Sequence, residues 1–481
     1  MNGGWGQKIT NRWAAPGGYR EFLMLAVPLI LSTGAWSIQH FVDRMFLTWY
    51  SSEAIAASMP AGLLNFTLLS LFLGTASYTN TFVAQYFGAG QPDRIGAAVW
   101  QGLYFSLIGA VFMLLVSFAA APIFRLAGHA PAVQQLEREY FTILCLGAFF
   151  PIASAALASF FAGRSDVWTV MTVNFFATAV NIVLDYLLIF GNAGAPKWGI
   201  RGAAIATVLS GIVSFAVYSG LFLKKSFRQK FGTWRFRRMD AALFRRLVHF
   251  GLPNGVQFFL DMLGFALFII LVGRFGTLAL AATNIAFNIN TLAFMPMIGS
   301  GIAVAILVGQ RLGENRPGLA ERSVWSAAHL TFCYMSVVAA AYVVLPDLFL
   351  TPFGKQADPE TFVQIHRYGV VLLRFVAFYS LFDAMNIVFA NAIKGAGDTR
   401  FVMKVAVLLS WLVMVIPTYL VSVWLHWSLF AAWGFATAYI VLLGIIFLLR
   451  FLRGKWKEMR VIEEQAFAAP VALPDAPSAE L

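Results

Sequence analysis

The chain has 481 residues, 60% of them hydrophobic and 12% charged, and a formal net charge of +12, shares far from those of an ordinary soluble domain. That balance excludes a water-soluble globular enzyme or binding module. The basic residues follow separate short stretches rather than one continuous face, which argues against nucleic acid as a partner.

Twelve apolar stretches succeed one another: Phe22 to Leu47, Ile55 to Val83, Ile95 to Ile123, Tyr140 to Phe161, Trp168 to Phe190, Ile200 to Leu223, Leu247 to Val272, Leu280 to Val308, Val324 to Leu345, Val370 to Ile393, Val402 to Trp424 and Leu429 to Leu449. Each is long enough for a hydrocarbon core of about 30 Å. The runs are continuous and lack the alternation of barrel strands, so helices are the form that satisfies their backbone amides in lipid. An all-α integral membrane protein is expected. The first run is too long for a signal-peptide core and no small-residue cleavage pattern follows it, which predicts a retained helix. Cys145 and Cys333 fall in spans four and nine and read as two buried apolar thiols.

Four aspartates lie inside the spans: Asp43, Asp185, Asp261 and Asp383. A carboxylate at that depth costs at least about 2.5 kcal/mol, so intramembrane acids point to an ion pathway. Pro28, Pro60, Pro151, Pro253, Pro296 and Pro417 interrupt spans, freeing carbonyls where a helix bends or lines a cavity.

With the amino terminus assigned to the cytoplasm, twenty-five of the 34 Lys and Arg fall in the termini and the turns on the same side, among them Lys8, Arg164, nine between Lys224 and Arg246, and Lys394. Eight fall opposite (Arg44, Arg125, Arg138, Lys197, Arg201, Arg274, Lys355, Arg367), and Arg374 lies within span ten. This bias predicts a multi-pass plasma-membrane protein with both termini cytoplasmic. The stretch from Lys224 to Arg246 reads as a positive-inside anchor or a site for acidic lipid headgroups. The Pro/Ala-rich tail after Arg460 is predicted to be disordered.

Shifted by 225 positions, the chain superposes Pro28 on Pro253, Gly74 on Gly299, Gln85 on Gln310, Gly88 on Gly313 and Pro92 on Pro317; after an insertion the shift becomes 232, matching Gly163 to Gly395 and Asp166 to Asp398. Six spans separate the copies, so both halves enter the membrane in one orientation and are related by a pseudo-twofold along its normal. The expected organisation is an amino-terminal six-helix bundle at 1–223, a basic cytoplasmic linker at 224–246, a second six-helix bundle at 247–452, and a partly disordered cytoplasmic tail at 453–481. Alternating access by rocking of the bundles follows as the default mechanism.

The stretches Phe41-Val42-Asp43-Arg44-Met45-Phe46 with Glu53-Ala54-Ile55-Ala56-Ala57, then Val83-Ala84-Gln85-Tyr86-Phe87-Gly88-Ala89-Gly90, its repeat from Val308 to Asn315, and Lys394-Gly395-Ala396-Gly397-Asp398-Thr399 resemble signatures of the multidrug and toxic compound extrusion (MATE) family. The resemblance implies a sodium- or proton-driven antiporter that expels amphipathic, often cationic organic compounds, with no cofactor beyond the coupling ion. A monomer in a bacterial inner membrane is expected. It also implies cation-coupling positions at Asp43, Asn181 and Asp185 in the first bundle and at Asp261, Tyr379 and Asp383 in the second, with Pro28 as the bend in helix one. Arg44 departs from the family pattern, where a small or neutral residue is commoner.

Helical geometry bears on these groupings independently. Asn181 and Asp185 are four apart and share a face. Asp185 and Asp43 both lie in the outer half, at about the same level on a rise of ~1.5 Å per residue. Together they suit either a hard cation such as sodium or a shared proton. The structural alternatives are an Asp43–Arg44 ion pair and an interhelical hydrogen bond for Asp185. Asp261 and Asp383 both fall near the midplane and read as a second acid pair; Tyr379 supplies a hydroxyl or simply packs. Arg374 neutralises an acid of another helix or snorkels outward. An aromatic cavity with carboxylates is suited to a lipophilic cation.

An enzyme is disfavoured, because the six histidines are scattered and neither His-Glu-x-x-His nor Gly-x-Ser-x-Gly occurs. The alternative reading is a lipid or lipid-linked oligosaccharide flippase of the same superfamily, for which a more cationic cavity is expected than these acid-rich spans provide.

Overall fold

The computed structural model describes residues 12–354, 359–425 and 427–463; Lys8, Lys355 and the tail from 464 onward lie outside them. Twelve spans form from the apolar runs: α1 Tyr19–Tyr50, α2 Ser52–Gly88, α3 Pro92–Phe118, α4 in two pieces (Pro131–Leu146 and Phe149–Ala162), α5 Val167–Phe190, α6 Ile200–Phe222, α7 Ala241–Phe275, α8 Thr277–Gly313, α9 Pro317–Val344, α10 Glu360–Ala396, α11 Thr399–Val423 and α12 Leu429–Leu452. No strand occurs among the described residues.

The prolines act in different ways. Helices α1, α2, α7 and α8 run on through Pro28, Pro60, Pro253 and Pro296. Helix α4 bends by 41° between its two pieces, one turn before Pro151, whose missing N–H leaves the carbonyl four residues earlier without its helical donor. Helix α11 widens into a π-helical turn at Ser410–Val415, just ahead of Pro417, which accommodates the ring without ending the span.

Helices α1–α6 and α7–α12 build two lobes, and the main contacts between them are α1 on α8 and α2 on α7. A pseudo-twofold exchanging α1 with α7 and α2 with α8 turns each of these contacts into the other. The closest approach lies where the basic residues cluster. A Cβ on Gly88 would fall 2.0 Å from the Gln310 carbonyl oxygen, and one on Gly313 would fall 2.2 Å from that of Gln85. Gln85 Nε2 donates to the Gly395 carbonyl at 3.0 Å, and Gln310 Nε2 donates to the Gly163 carbonyl at 2.8 Å. All four contacts pair positions that the repeat superposes, so the internal duplication is visible as a reciprocal seal.

Midway along the lobes, Thr33 Oγ1 donates to the Met295 carbonyl at 3.4 Å and the Phe66 and Phe258 rings meet at 5.9 Å. Beyond these, toward the end away from the basic cluster, no hydrogen bond joins the lobes among the described residues, and Trp36 is 47% exposed. The lobes thus part into a cleft closed at the basic end.

The segment after α12 differs from the expected disorder. Trp456 stacks on Phe451 at 5.0 Å, and Val461 and Ile462 are buried. The Val461 amide donates to Gln85 Oε1 at 2.8 Å, Arg246 donates to the Val461 carbonyl, and Tyr86 and Arg94 both donate to the Glu463 carboxylate. Residues 461–463 therefore clasp the first lobe to the second, because they offer two apolar side chains and an acid to a site that is both greasy and basic. Burial opposes ionisation of Glu463, yet the bonds from Tyr86 and Arg94 hold its carboxyl below the ordinary value, so this clasp is intact at neutral pH and loosens as pH falls through that lowered value.

Two further expectations are corrected. Lys394 belongs to the last turn of α10, half-buried, not to a turn, because that turn packs into α8 where a Cβ on Gly395 would lie 2.7 Å from the Ala305 carbonyl. Cys333 is exposed on the outside of α9, whereas Cys145 is buried and accepts from Asn65 Nδ2 at 3.4 Å.

Gly88→Ala and Gly313→Ala are expected to destabilise the protein by similar amounts, about 1–3 kcal/mol each as overpacking commonly costs. Gly220→Ala, whose added Cβ meets nothing within 4 Å, is expected to have little effect. Thermal unfolding in detergent measures all three; unchanged midpoints in the first two would remove the seal.

Candidate functional site

The acid pair of the first lobe is built on a polar seam between α1 and α5. Ser32 accepts from Asn174 Nδ2 at 2.6 Å, the Ala35 carbonyl accepts from Thr178 at 3.5 Å, Gln39 lies opposite Asn181, and Asp43 lies opposite Asp185. The spacing is that of one stripe on each helix, so polar residues that would be costly facing lipid meet one another instead. Tyr218 of α6 closes the end of the seam toward the basic cluster, donating to Asn174 Oδ1 at 3.1 Å.

At the end of the seam away from the basic cluster Asp43, Asn181 and Asp185 are all buried. The two carboxyl groups are within hydrogen-bonding reach of each other. With the Asn181 amide nitrogen turned toward them, it donates to Asp43 Oδ1 at 3.0 Å and to Asp185 Oδ2 at 3.2 Å. Asp185 Oδ1 meets no protein donor among the described residues. Arg44 is exposed and makes no ion pair among the described residues, so the Asp43–Arg44 bridge is not formed. Tyr140 of α4 and His40 stand within electrostatic range of Asp43, and the His40 ring packs on Trp36 at 5.2 Å.

The second lobe is arranged differently. Asp261 accepts from Gln257 Nε2 at 3.4 Å and has the Lys394 ammonium as its nearby counter-charge. Asp383 accepts from Asn386 Nδ2 at 3.0 Å, and the Tyr379 hydroxyl accepts from Asn290 Nδ2 at 3.3 Å. No hydrogen bond joins Asp261 to Asp383 among the described residues, and Tyr439 of α12 stands within electrostatic range of both. Arg374 is exposed on α10 and pairs with no acid among the described residues.

Sequence reasoning missed Gln39, Ser32, Asn174, Lys394 and Tyr439. Amide and hydroxyl residues recurring every three or four positions in α1 and α5 were the available signal for the seam; nothing local marked Tyr439. No cluster of His, Cys, Asp and Glu able to hold a metal occurs among the described residues.

A family model, MatE, matches residues 28–187 and 253–420, one segment in each lobe. The probable multidrug resistance protein YoeA of Bacillus subtilis (strain 168) is 27% identical over 458 residues, covering 94% of this chain and 97% of that protein. The probable multidrug resistance protein NorM of Rhizobium meliloti (strain 1021) is 26% identical over 427 residues, covering 89% and 88%. Among solved structures, one described as the outward-facing conformation of a multidrug resistance MATE family transporter of the MOP superfamily superposes with a TM-score of 0.83 at 18% identity, covering 96% of this chain and 100% of that one.

The contact between Asp43 and Asp185 is expected to make their substitutions non-additive. A cycle of Asp43→Asn, Asp185→Asn and the double variant, read by thermal unfolding, is expected to show a coupling of about 0.5–3 kcal/mol, whereas Asp261→Asn and Asp383→Asn add within about 0.5 kcal/mol. Additivity in the first cycle would separate the two acids.

Proposed function

The chain belongs to the MatE family, whose members are membrane transporters rather than enzymes, and from that premise we propose that it is a proton-coupled antiporter exporting amphipathic, often cationic organic compounds. The observation that carries this reading is the buried Asp43–Asn181–Asp185 group. The Asn181 side chain faces both acids, and with its amide nitrogen turned toward them it occupies lone pairs that a sodium ion would need from an all-oxygen shell. Two carboxyl groups in hydrogen-bonding reach favour a single shared proton.

On this reading the cleft takes up a proton from the side away from the basic residues. Protonation leaves the pair with less charge and lets α1 and α5 close on each other. Release on the other side restores charge in a low-dielectric lobe, which attracts a cationic cargo. Pro28 lies inside α1, which runs on through it, between the inter-lobe contact of Ile30 with Gly299 and the basic end; a bend at Pro28 during the cycle carries Asp43 relative to Asp185. Exchange between the two faces requires the α2–α8 seal to open while the far ends of the lobes meet.

The second lobe contributes differently: Asp261 has a tethered counter-charge in Lys394, while Asp383 and Tyr379 offer polar contacts to cargo. The rings of Trp36, Phe66 and Phe258 reach from one lobe to the other and suit a flat lipophilic cation. Arg94, Arg246 and Arg311 gather at the sealed end, which supports a cytoplasmic assignment for that side and for both termini. A flippase cavity for pyrophosphate would require exposed cations where these lobes carry acids.

Efflux of a fluorescent lipophilic cation from proteoliposomes tests the reading. An imposed proton gradient is expected to drive efflux and a sodium gradient alone is not; Asp43→Asn and Asp185→Asn are expected to fall to the level of protein-free vesicles while remaining folded. Sodium-driven efflux, or full proton-driven efflux by Asp185→Asn, would overturn it.

A further inference from the structure

The outer end of the first lobe carries an unassigned groove of about 1010 Å³ between the end of α3, the short helix Ala120–Leu126, the start of α4 and the start of α6. Its volume is at the upper end of the range for small-molecule sites. Three arginines line it: Arg125, Arg138 and Arg201. Basic residues are sparse at this end of the membrane, so three in one groove is a concentration. Arg201 is satisfied, donating through Nε and Nη2 to both oxygens of Glu139 at 2.6 Å. Arg125 and Arg138 are exposed and form no salt bridge or hydrogen bond with an acid among the described residues, although Arg138 stands within electrostatic range of Glu139.

The same groove is apolar on its membrane side. Phe118 is 76% exposed, Leu146 60% and Leu114 39%, and all three line it. A soluble anion would meet the two guanidiniums but leave these side chains uncovered. A molecule carrying both an anionic head and hydrocarbon chains covers everything. Guanidinium is the group best suited to phosphate oxygens, through paired charge-assisted hydrogen bonds.

We propose that this groove binds one anionic glycerophospholipid, with Arg125 and Arg138 on the headgroup phosphate and the acyl chains along Leu114, Phe118 and Leu146. The bound lipid ties α3 to α4 on the side of α4 away from Tyr140, the residue that backs the Asp43–Asp185 pair, and so braces the wall behind that pair. The placement is independent of what the transporter carries.

Native mass spectrometry of the detergent-purified protein after exposure to phosphatidylglycerol, with phosphatidylcholine and inorganic phosphate as parallel arms, tests the site. The wild type is expected to retain one phosphatidylglycerol more tightly than the rest and to gain thermal stability from it. The Arg125→Gln, Arg138→Gln double variant is expected to lose that lipid and the gain, with binding weakened at least about tenfold, as loss of charge-assisted contacts to a phosphate implies; an Arg-to-Lys pair is expected to retain part of both. Both arginines are exposed, so the double variant is expected to fold, and an unchanged elution profile checks this. Equal retention by wild type and double variant, equal retention of phosphatidylcholine, or stabilisation by inorganic phosphate alone would each overturn the proposal.

Discussion

The structure depends on one close approach: α2 and α8 touch backbone to backbone at Gly88 and Gly313, with Gln85 and Gln310 bonded across to the opposite lobe. No side chain larger than hydrogen fits there, and the buried glutamines leave no room for misregister, because an unpaired amide in that interior is costly. Once this contact is made the lobes have a single way to sit, closed at the basic end and open at the other. In the first lobe, the Asn174 and Tyr218 end of the seam lies toward the closed end and the acids toward the open one.

The duplication supplies scaffold twice but chemistry once in each form. By the two offsets of the repeat, 225 and then 232, Asp43 corresponds to Phe268, Asp185 to Pro417, Asp261 to Trp36 and Asp383 to Pro151. Where the first lobe has a carboxylate, the second has an apolar ring, and the reverse also holds. The first lobe consequently concentrates two acids at one point with no base bonded to them, while the second spreads its acids apart and gives Asp261 a lysine. Even the seal is completed asymmetrically: the Ser165 hydroxyl donates to Gln310 Oε1, but its counterpart is Gly397, and the Val461 amide from the chain's end donates to Gln85 Oε1 in its place.

Much of this was legible in the chain. Twelve runs of hydrophobicity, the repeat and the four intramembrane acids are strong signals because lipid penalises every exception to them. The four-residue spacing of Asn181 and Asp185 correctly put them on one face, and the level of Asp43 put it beside them. What was not legible depended on tertiary contact. Lys394 looks like a turn residue because hydropathy ends at Ile393, and only packing of α10 on α8 carries the helix past it. The stretch Val461 to Glu463 reads as tail because three residues carry no periodic signal, and their order comes from Gln85, Tyr86, Arg94 and Arg246, distant in sequence. The depth of Asp261 and Asp383 likewise left open how they are placed, because equal depth on two helices says nothing about which faces they turn to each other.

The central claim is that the α2–α8 seal must open in every transport cycle. A Cβ on Gly309 would lie 2.9 Å from that of Ala84, under an ångström from the mean Cβ separation of about 3.8 Å across a disulfide, so the Ala84→Cys, Gly309→Cys pair in a background lacking Cys145 and Cys333 can be cross-linked across the lobes. Proton-driven efflux by this variant, measured reduced and then oxidised on the same vesicles, is expected to be present in the first state and absent in the second. Undiminished efflux from fully cross-linked protein would contradict the account.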